Sequence, residues 1–297
     1  MSTPLPTPAN AQDDDVALAR PRLRLDRMAV NALAAVAGLW LVVFLVSNPR
    51  FEWGVVAEFL TAQAVLKGLG ISVLLTACGM TLGTLLGTML ALMKLGRFRT
   101  ARHVASAYTW LFRGTPLLIQ LLFWYNLAYL LPTLSIGLPF GPAWVSWDTN
   151  ELITPFIAAV LGLALNEAAY MAEIMRAGIL SVDAGQSDAA RALGFTPARA
   201  FQRIIIPQAM RIVLPPAGSL VIGMLKGTSL VSVIAITDLL FSVQTIYNRN
   251  FKVVPLLLVA LLWYLAVFTL LSWLQSRLER RYSRGHAHEA AARLGNG

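Results

Sequence analysis

Several side chains stand in stretches otherwise too apolar to welcome them. Glu167 and Glu173 interrupt 152–175, and Lys226 stands within 208–236 beside Gly227, Thr228 and Ser229. An ionisable group at membrane depth is costly and must face protein, water or headgroups, so such residues mark paths for polar cargo. Gln120, Tyr125, Asn126 and Asn166 add polar atoms in neighbouring apolar runs. The candidate polar path is therefore Gln120, Tyr125, Asn126, Asn166, Glu167, Lys226, Thr228 and Ser229. For each hydroxyl or amide, a backbone bond within its own helix or interhelical packing is at least as good an explanation. For Glu167 and Lys226 the functional reading is favoured. The chemistry implied is binding and passage, not bond making. No Gly-x-x-x-x-Gly-Lys-Ser/Thr, Gly-x-Ser-x-Gly or His-Glu-x-x-His occurs, so no phosphate cradle, nucleophile elbow or zinc helix is expected. No catalytic residue, metal site or cofactor is assigned to this chain. The single cysteine, Cys78, can form no intrachain disulfide.

A second constellation lies between two apolar runs. It reads Ser181 to Gly194, then Phe195-Thr196-Pro197, then Ala198 to Pro207. Gly194 suits the left-handed conformation that ends a helix. Thr196 can cap a second helix, with Pro197 at its first position. The result is helix, turn, helix. Leu193, Phe195, Phe201 and Ile204 supply an apolar surface that asks for a partner protein. A DNA-binding helix-turn-helix is disfavoured because the segment is tethered at both ends and too short for a three-helix domain.

Apolar runs at 28–47, 65–93, 114–131, 152–175, 208–236 and 254–276 must hold these groups. The chain is 57% hydrophobic and only 13% charged, whereas soluble chains carry roughly 25% charged residues. A membrane helix needs about 20 mostly apolar residues, and only 114–131 falls short. Basic residues cluster in alternate connections: Arg20, Arg22, Arg24 and Arg27; Lys94, Arg97, Arg99, Arg102 and Arg113; Arg176, Arg191, Arg199, Arg203 and Arg211; Arg277, Arg280, Arg281 and Arg284. The other connections are poor in positive charge. This alternation predicts six transmembrane helices with both termini in the cytoplasm. The net charge of +9 is thus topology and lipid attraction, not a nucleic-acid footprint. Residues 1–27 are expected to form a disordered cytoplasmic tail, 28–47 a retained anchor and not a signal peptide, and 277–297 a cytoplasmic tail. Gly79, Gly83 and Gly87 recur every four residues, which allows close helix approach within the chain or between subunits. Residues 99–113 are amphipathic and are predicted to lie in the cytoplasmic interface. The Lys226–Ser229 break divides 208–240 into a helix to about Lys226 and a short helix over 228–240.

The loop resembles the EAA coupling loop of ABC-importer permeases: Glu-Ala-Ala, three residues, Gly, nine residues, Ile-x-Leu-Pro. Here Asp188-Ala189-Ala190, Gly194, Ile204 and Ile206-Pro207 keep that spacing, with Asp for Glu and Ile for Leu. Glu167-Ala168-Ala169 spells the triplet but lacks the spacing. Phe112 to Gln120, Ala169 to Ile179, Gly185 to Ala190, Pro207-Gln208-Ala209, Leu214-Pro215-Pro216 and Lys226 to Leu230 are similar to one branch, the polar amino acid permeases (histidine, glutamate, glutamine, arginine and opine group). The likeness covers about 65–276; 28–47 looks like an added helix, and Gly227 replaces that branch's usual Asp. The resemblance implies an all-α integral membrane protein, the type I importer permease (MetI-like) bundle, with a core over 65–276 and a coupling loop over 176–211. It also implies an importer subunit of the cytoplasmic (inner) membrane, with ATP and Mg held by a separate ATPase dimer. Asp188, Ala189, Ala190, Gly194, Phe195, Ile204 and Pro207 would meet that ATPase. A second permease copy or paralogue and an extracytoplasmic amino-acid-binding protein complete the assembly, and no nucleic acid is expected. A secondary transporter is the alternative, but its ion coupling would have to rest on Glu167 and Glu173 alone.

Overall fold

A computed structural model describes residues 25–137 and 143–283. Of the expected tails, 1–24 and 284–297 lie outside the described residues, whereas 25–27 and 277–283 are helical, as the end turns of the adjoining long helices. Two compact units separate at Phe51/Glu52. The first contains helix α1 (Leu25–Ser47) and a 3-10 turn at Pro49–Phe51. Its apolar side chains face outward, with Trp40 stacked on Phe44. Every residue of Ala29–Ser47 is exposed or nearly so, as suits a helix whose solvent is lipid.

The second unit is a helical bundle. Its elements are α2 (Trp53–Leu60), α3 (Gln63–Leu95), α4 (Arg99–Gly114), α5 (Leu117–Tyr125), α6 (Leu127–Leu130), α7 (Thr149–Leu152), α8 (Pro155–Leu180), α9 (Ala184–Ala192), α10 (Pro197–Ala200), α11 (Ile206–Gly227), α12 (Leu239–Asn250) and α13 (Val253–Ser283). A two-stranded antiparallel hairpin, β1 (Thr133–Gly137) and β2 (Ala143–Asp148), joins α6 to α7.

The glycine repeat settles where α3 packs. A Cβ on Gly83 would stand 2.8 Å from Glu167 Cβ, and one on Gly87 would stand 2.7 Å from Met171 Cβ. Real side chains cannot approach so closely, so bare backbone is what brings α3 and α8 together. The stripe is spent inside the chain. Leu75, Leu121, Leu163, Met224 and Val231 form one core cluster where α3, α5, α8 and α11 converge. On the other side of α3, Val65, Leu239, Val243, Leu256 and Val259 form a second.

Five helical segments among the described residues are long and apolar enough to cross a membrane: Ala29–Ser47, Gln63–Leu95, Pro155–Leu180, Pro197–Ile234 and Val253–Tyr282. The 114–131 run differs. Its main helix, α5, has nine residues, about 14 Å at 1.5 Å per residue and under half the hydrocarbon thickness. The missing length comes from α4, which does not lie apart in the interface as its pattern predicts. Tyr108 donates to the Leu165 carbonyl at 2.7 Å, and the Asn166 amide donates to the Phe112 carbonyl at 3.1 Å. With Ala105 and Thr109 buried, α4 runs alongside the second half of α8, and α5 continues past Gly162 beyond the Thr115-Pro116 break. Its charges mislead because the packed face is made by Ala105, Tyr108 and Thr109 against α3 and α8, while Val104, Trp110 and Leu111 stay exposed.

The second half of the 208–240 region also departs from expectation. Gly227 does end α11, but a 3-10 helix follows over Thr228–Ile234, and Ala235 turns the chain with φ 58°. Asp238 then caps α12 through the N–H groups of Leu240 and Phe241. The Leu239 N–H donates to Ser72 Oγ at 3.1 Å, which fixes α12 against α3. No single helix covers 228–240, because the 3-10 bonding and the left-handed Ala235 consume the turn.

Candidate functional site

Two constellations carry the sequence expectations, and each can be built from its local chain. The first is the loop between α8 and α11. Asp183 starts α9 by accepting from the Gly185 N–H at 2.7 Å. The helix ends at Gly194, φ +75°, with Phe195 N–H donating to the Ala190 carbonyl and Gly194 N–H to the Arg191 carbonyl. Those paired bonds and the left-handed glycine define a Schellman end. Thr196 then accepts from the Arg199 N–H and Pro197 opens α10. A π-helical turn over Phe201–Ile205 feeds α11. Ala190 and Ile205 are buried at the inner side of this elbow, while Asp188, Ala189 and Pro207 are exposed, and Phe195 and Ile204 are half-buried. Leu193, 76% exposed, forms the tip. Asp188 and Arg191 approach only to 3.7 Å and both are open to solvent, so the pair adds little stability.

The second constellation is a cavity of about 150 Å³ between α5, α8 and α11, lined by Leu117, Leu163, Asn166, Glu167, Tyr170, Leu220, Gly223, Met224 and Gly227. Glu167 sits at the midpoint of α8, 6% exposed. Its Oε1 is buried and has no hydrogen-bond partner among the described residues. An unpartnered buried carboxylate oxygen is costly, so the site is incomplete without a donor. The Arg113 guanidinium lies over the Tyr170 ring, 5.5 Å from its centroid, which sets a cation beside the cavity wall without bringing it to Glu167.

Of the eight candidate path residues, Asn166 and Glu167 line this cavity. The other six lie elsewhere. Gln120 is buried at the α4–α5 break, where its amide donates to the Phe112 and Thr115 carbonyls. Tyr125 is exposed at the end of α5, and Asn126 donates back to the Leu122 carbonyl. Lys226 turns towards α13, its Nζ 5.5 Å from the centre of the Phe268 ring. Thr228 and Ser229 donate to the Leu225 and Lys226 carbonyls, three residues back. Gln120, Asn126, Thr228 and Ser229 thus satisfy carbonyls at broken helix ends. Sequence reasoning missed Tyr170, one turn beyond Glu167, and Gly223, whose small size keeps the cavity open.

A polytopic helical bundle with a capped helix-turn-helix elbow and a small, mainly apolar cavity holding Asn166 and Glu167 at mid-helix depth suits a membrane permease. The chain belongs to the family of binding-protein-dependent transport system inner membrane components, which matches residues 83–284. It is 36% identical to the arginine transport system permease protein ArgU of Corynebacterium glutamicum over 278 residues, 93% of this chain and 86% of that protein. It is also 36% identical to the octopine transport system permease protein OccM of Rhizobium radiobacter, covering 76% of this chain and 89% of that one. The glutamate/aspartate import permease GltK of Escherichia coli is 35% identical, with 78% and 98% covered. Among solved structures, an amino acid ABC transporter with histidines aligns with a TM-score of 0.62 and 37% identity over 73% of this chain and 94% of that one. The MetNI methionine transporter, 16% identical with a TM-score of 0.59 over 75% and 97%, shares the fold. The protein is a permease subunit of an amino acid ABC importer with the MetI-like fold.

Proposed function

We propose that this subunit couples a separate cytoplasmic ATPase to alternating access through the 181–207 elbow, and that its cargo is an amino acid with a cationic side chain. The observation that supports coupling is the double-capped elbow with an apolar tip. Two short helices fixed by a Schellman end and a Thr cap move as a body, whereas a floppy loop would absorb the stroke. Asp188, Ala189, Ala190, Gly194, Phe195, Ile204 and Pro207 are the contact residues in this reading. ATP and Mg are bound by the ATPase, a second permease copy or paralogue completes the path, and a binding protein delivers cargo from outside the inner membrane. The cargo charge is supported by Glu167, which lines the cavity and has one buried carboxylate oxygen unpartnered among the described residues, and by the 36% identity to an arginine permease.

Gly194→Val would force a β-branched residue into the left-handed region. The expected outcome is normal membrane insertion with loss of ATPase co-purification and of uptake. Asp188→Ala is expected to weaken both in the same direction. Normal ATPase recovery with the Gly194 variant would refute the coupling reading. Glu167→Gln keeps size but removes charge, so uptake of radiolabelled arginine should fall at least about tenfold, the cost of roughly 1.4 kcal/mol, with assembly unchanged. Equal competition by aspartate and arginine in the parent protein would count against the cationic cargo.

A further inference from the structure

Near the end of the bundle where the elbow begins, one ammonium ties three helices. Lys94, in the last turn of α3, places its Nζ 2.5 Å from Glu173 Oε1 on α8 and 2.6 Å from Thr109 Oγ on α4. Arg176 donates to the other carboxylate oxygen at 3.0 Å from Nε. The Lys94 side chain is only 10% exposed and that of Glu173 24%. Glu173 lies six residues beyond Glu167 and eight before Ser181, where the elbow begins. The knot therefore grips α8 between the cavity and the loop.

Stability alone is a poor reason for such a group. Desolvating two charges offsets most of their attraction, and apolar side chains of similar volume commonly hold helices as well. What the knot adds is direction. Both carboxylate oxygens are used, one by a neighbouring helix and one by a residue on α8 itself, so the end of α8 cannot turn or slide without breaking charge-assisted bonds. The other root of the elbow has no equivalent ion pair among the described residues. It leaves through the π turn at Phe201–Ile205 and enters α11, which carries Pro215 and Pro216 in its interior. π turns and internal prolines are where helices bend.

We propose that the Lys94–Glu173–Arg176 knot, steadied by Thr109, is a positioning device that fixes the first root of the elbow to α3 and α4. Motion of the elbow is thereby delivered to α11 and the cavity wall it supplies, instead of being absorbed by α8. The inference rests on the coupling reading above. Lys94 and Glu173 are positioning residues and touch no cargo.

The test uses the whole transporter, this permease with its ATPase and binding protein, in proteoliposomes. Lys94→Met, Glu173→Gln, Lys94→Arg and Gly194→Val are compared for assembled complex, ATP hydrolysed and amino acid taken up. The Met and Gln variants are expected to assemble and to hydrolyse ATP, with uptake per ATP lowered about tenfold, within the range of single-residue coupling effects. Lys94→Arg, which keeps charge and reach, should recover most of that ratio. An unchanged ratio in Lys94→Met overturns the proposal. So does a loss of uptake that only tracks a loss of assembled complex, because that is what a purely structural tie gives. If Gly194→Val uncouples while Lys94→Met does not, only the knot's role falls. If Gly194→Val leaves assembly and uptake intact, the coupling reading fails instead.

Discussion

The two helices that leave the elbow have opposite characters. Helix α8 has no internal proline, and its glycine-facing side is pressed onto α3 at Gly83 and Gly87. Helix α11 begins from a π turn, contains two adjacent prolines and buries far fewer of its side chains. The Pro215 and Pro216 positions lack N–H groups, so the Arg211 and Ile212 carbonyls one turn earlier lose their usual helical donors. The Gln275 amide of α13 donates to the Pro215 carbonyl at 3.1 Å, a different acceptor, so it ties α13 to the bend without replacing those lost bonds. One root is clamped and the other is yielding. In a lever, that asymmetry decides which arm moves.

The contrast can be broken most forcefully on the clamped side. Gly83→Leu would drive a side chain into Glu167 Cβ, and overpacking of this kind costs about 3 kcal/mol or more where backbone cannot retreat. The expected outcome is a large drop in folded yield and in melting temperature in detergent; a stable Gly83→Leu protein would show the α3–α8 seam to be loose. On the yielding side the expected sign reverses. Replacing both Pro215 and Pro216 by Ala restores helix donors and should raise stability by about 1–3 kcal/mol, while uptake falls because α11 no longer bends. Faster uptake from that variant would place the moving hinge elsewhere. The smallest effect is expected at Gly223, where an added Cβ meets nothing within 4 Å. Gly223→Ala should gain about 0.5–1 kcal/mol of helix stability and narrow the cavity, so that bulky cargo loses uptake before small cargo does. Equal loss for all cargo sizes would argue that Gly223 lies off the path.

The elbow was legible because capping is local chemistry: Gly194, Thr196 and Pro197 act through neighbours within six residues, and their sequence spacing contains the whole interaction. The glycine stripe was legible as a seam, but not which helix it faced, since either α8 or a second subunit would satisfy the same repeat. Residues 99–113 were misread for a related reason. Arg99, Arg102 and Arg113 describe only the outer face of α4, whereas its placement rests on Tyr108 meeting Leu165 and Phe112 meeting Asn166, partners more than fifty positions away. Helix α12 and the 133–148 hairpin escaped notice because neither is apolar enough to register as a span. The candidate path fared unevenly. Polar residues beside helix breaks, such as Thr228 and Gln120, were drawn to nearby carbonyls, whereas Asn166, its amide on the distant Phe112 carbonyl, and Glu167 lie on an unbroken helix and line the cavity.

Gly83 does two jobs with one missing side chain. It seats α3 on α8, and the atom it seats against is the Cβ of the very glutamate that faces the cavity. A lineage that altered this spot to suit a new cargo would unfasten the bundle in the same stroke. Under the proposed cargo reading, selectivity is free to drift only on the opposite walls, at Leu117, Leu220 and Gly223, while the acidic floor stays locked in place by the architecture beneath it.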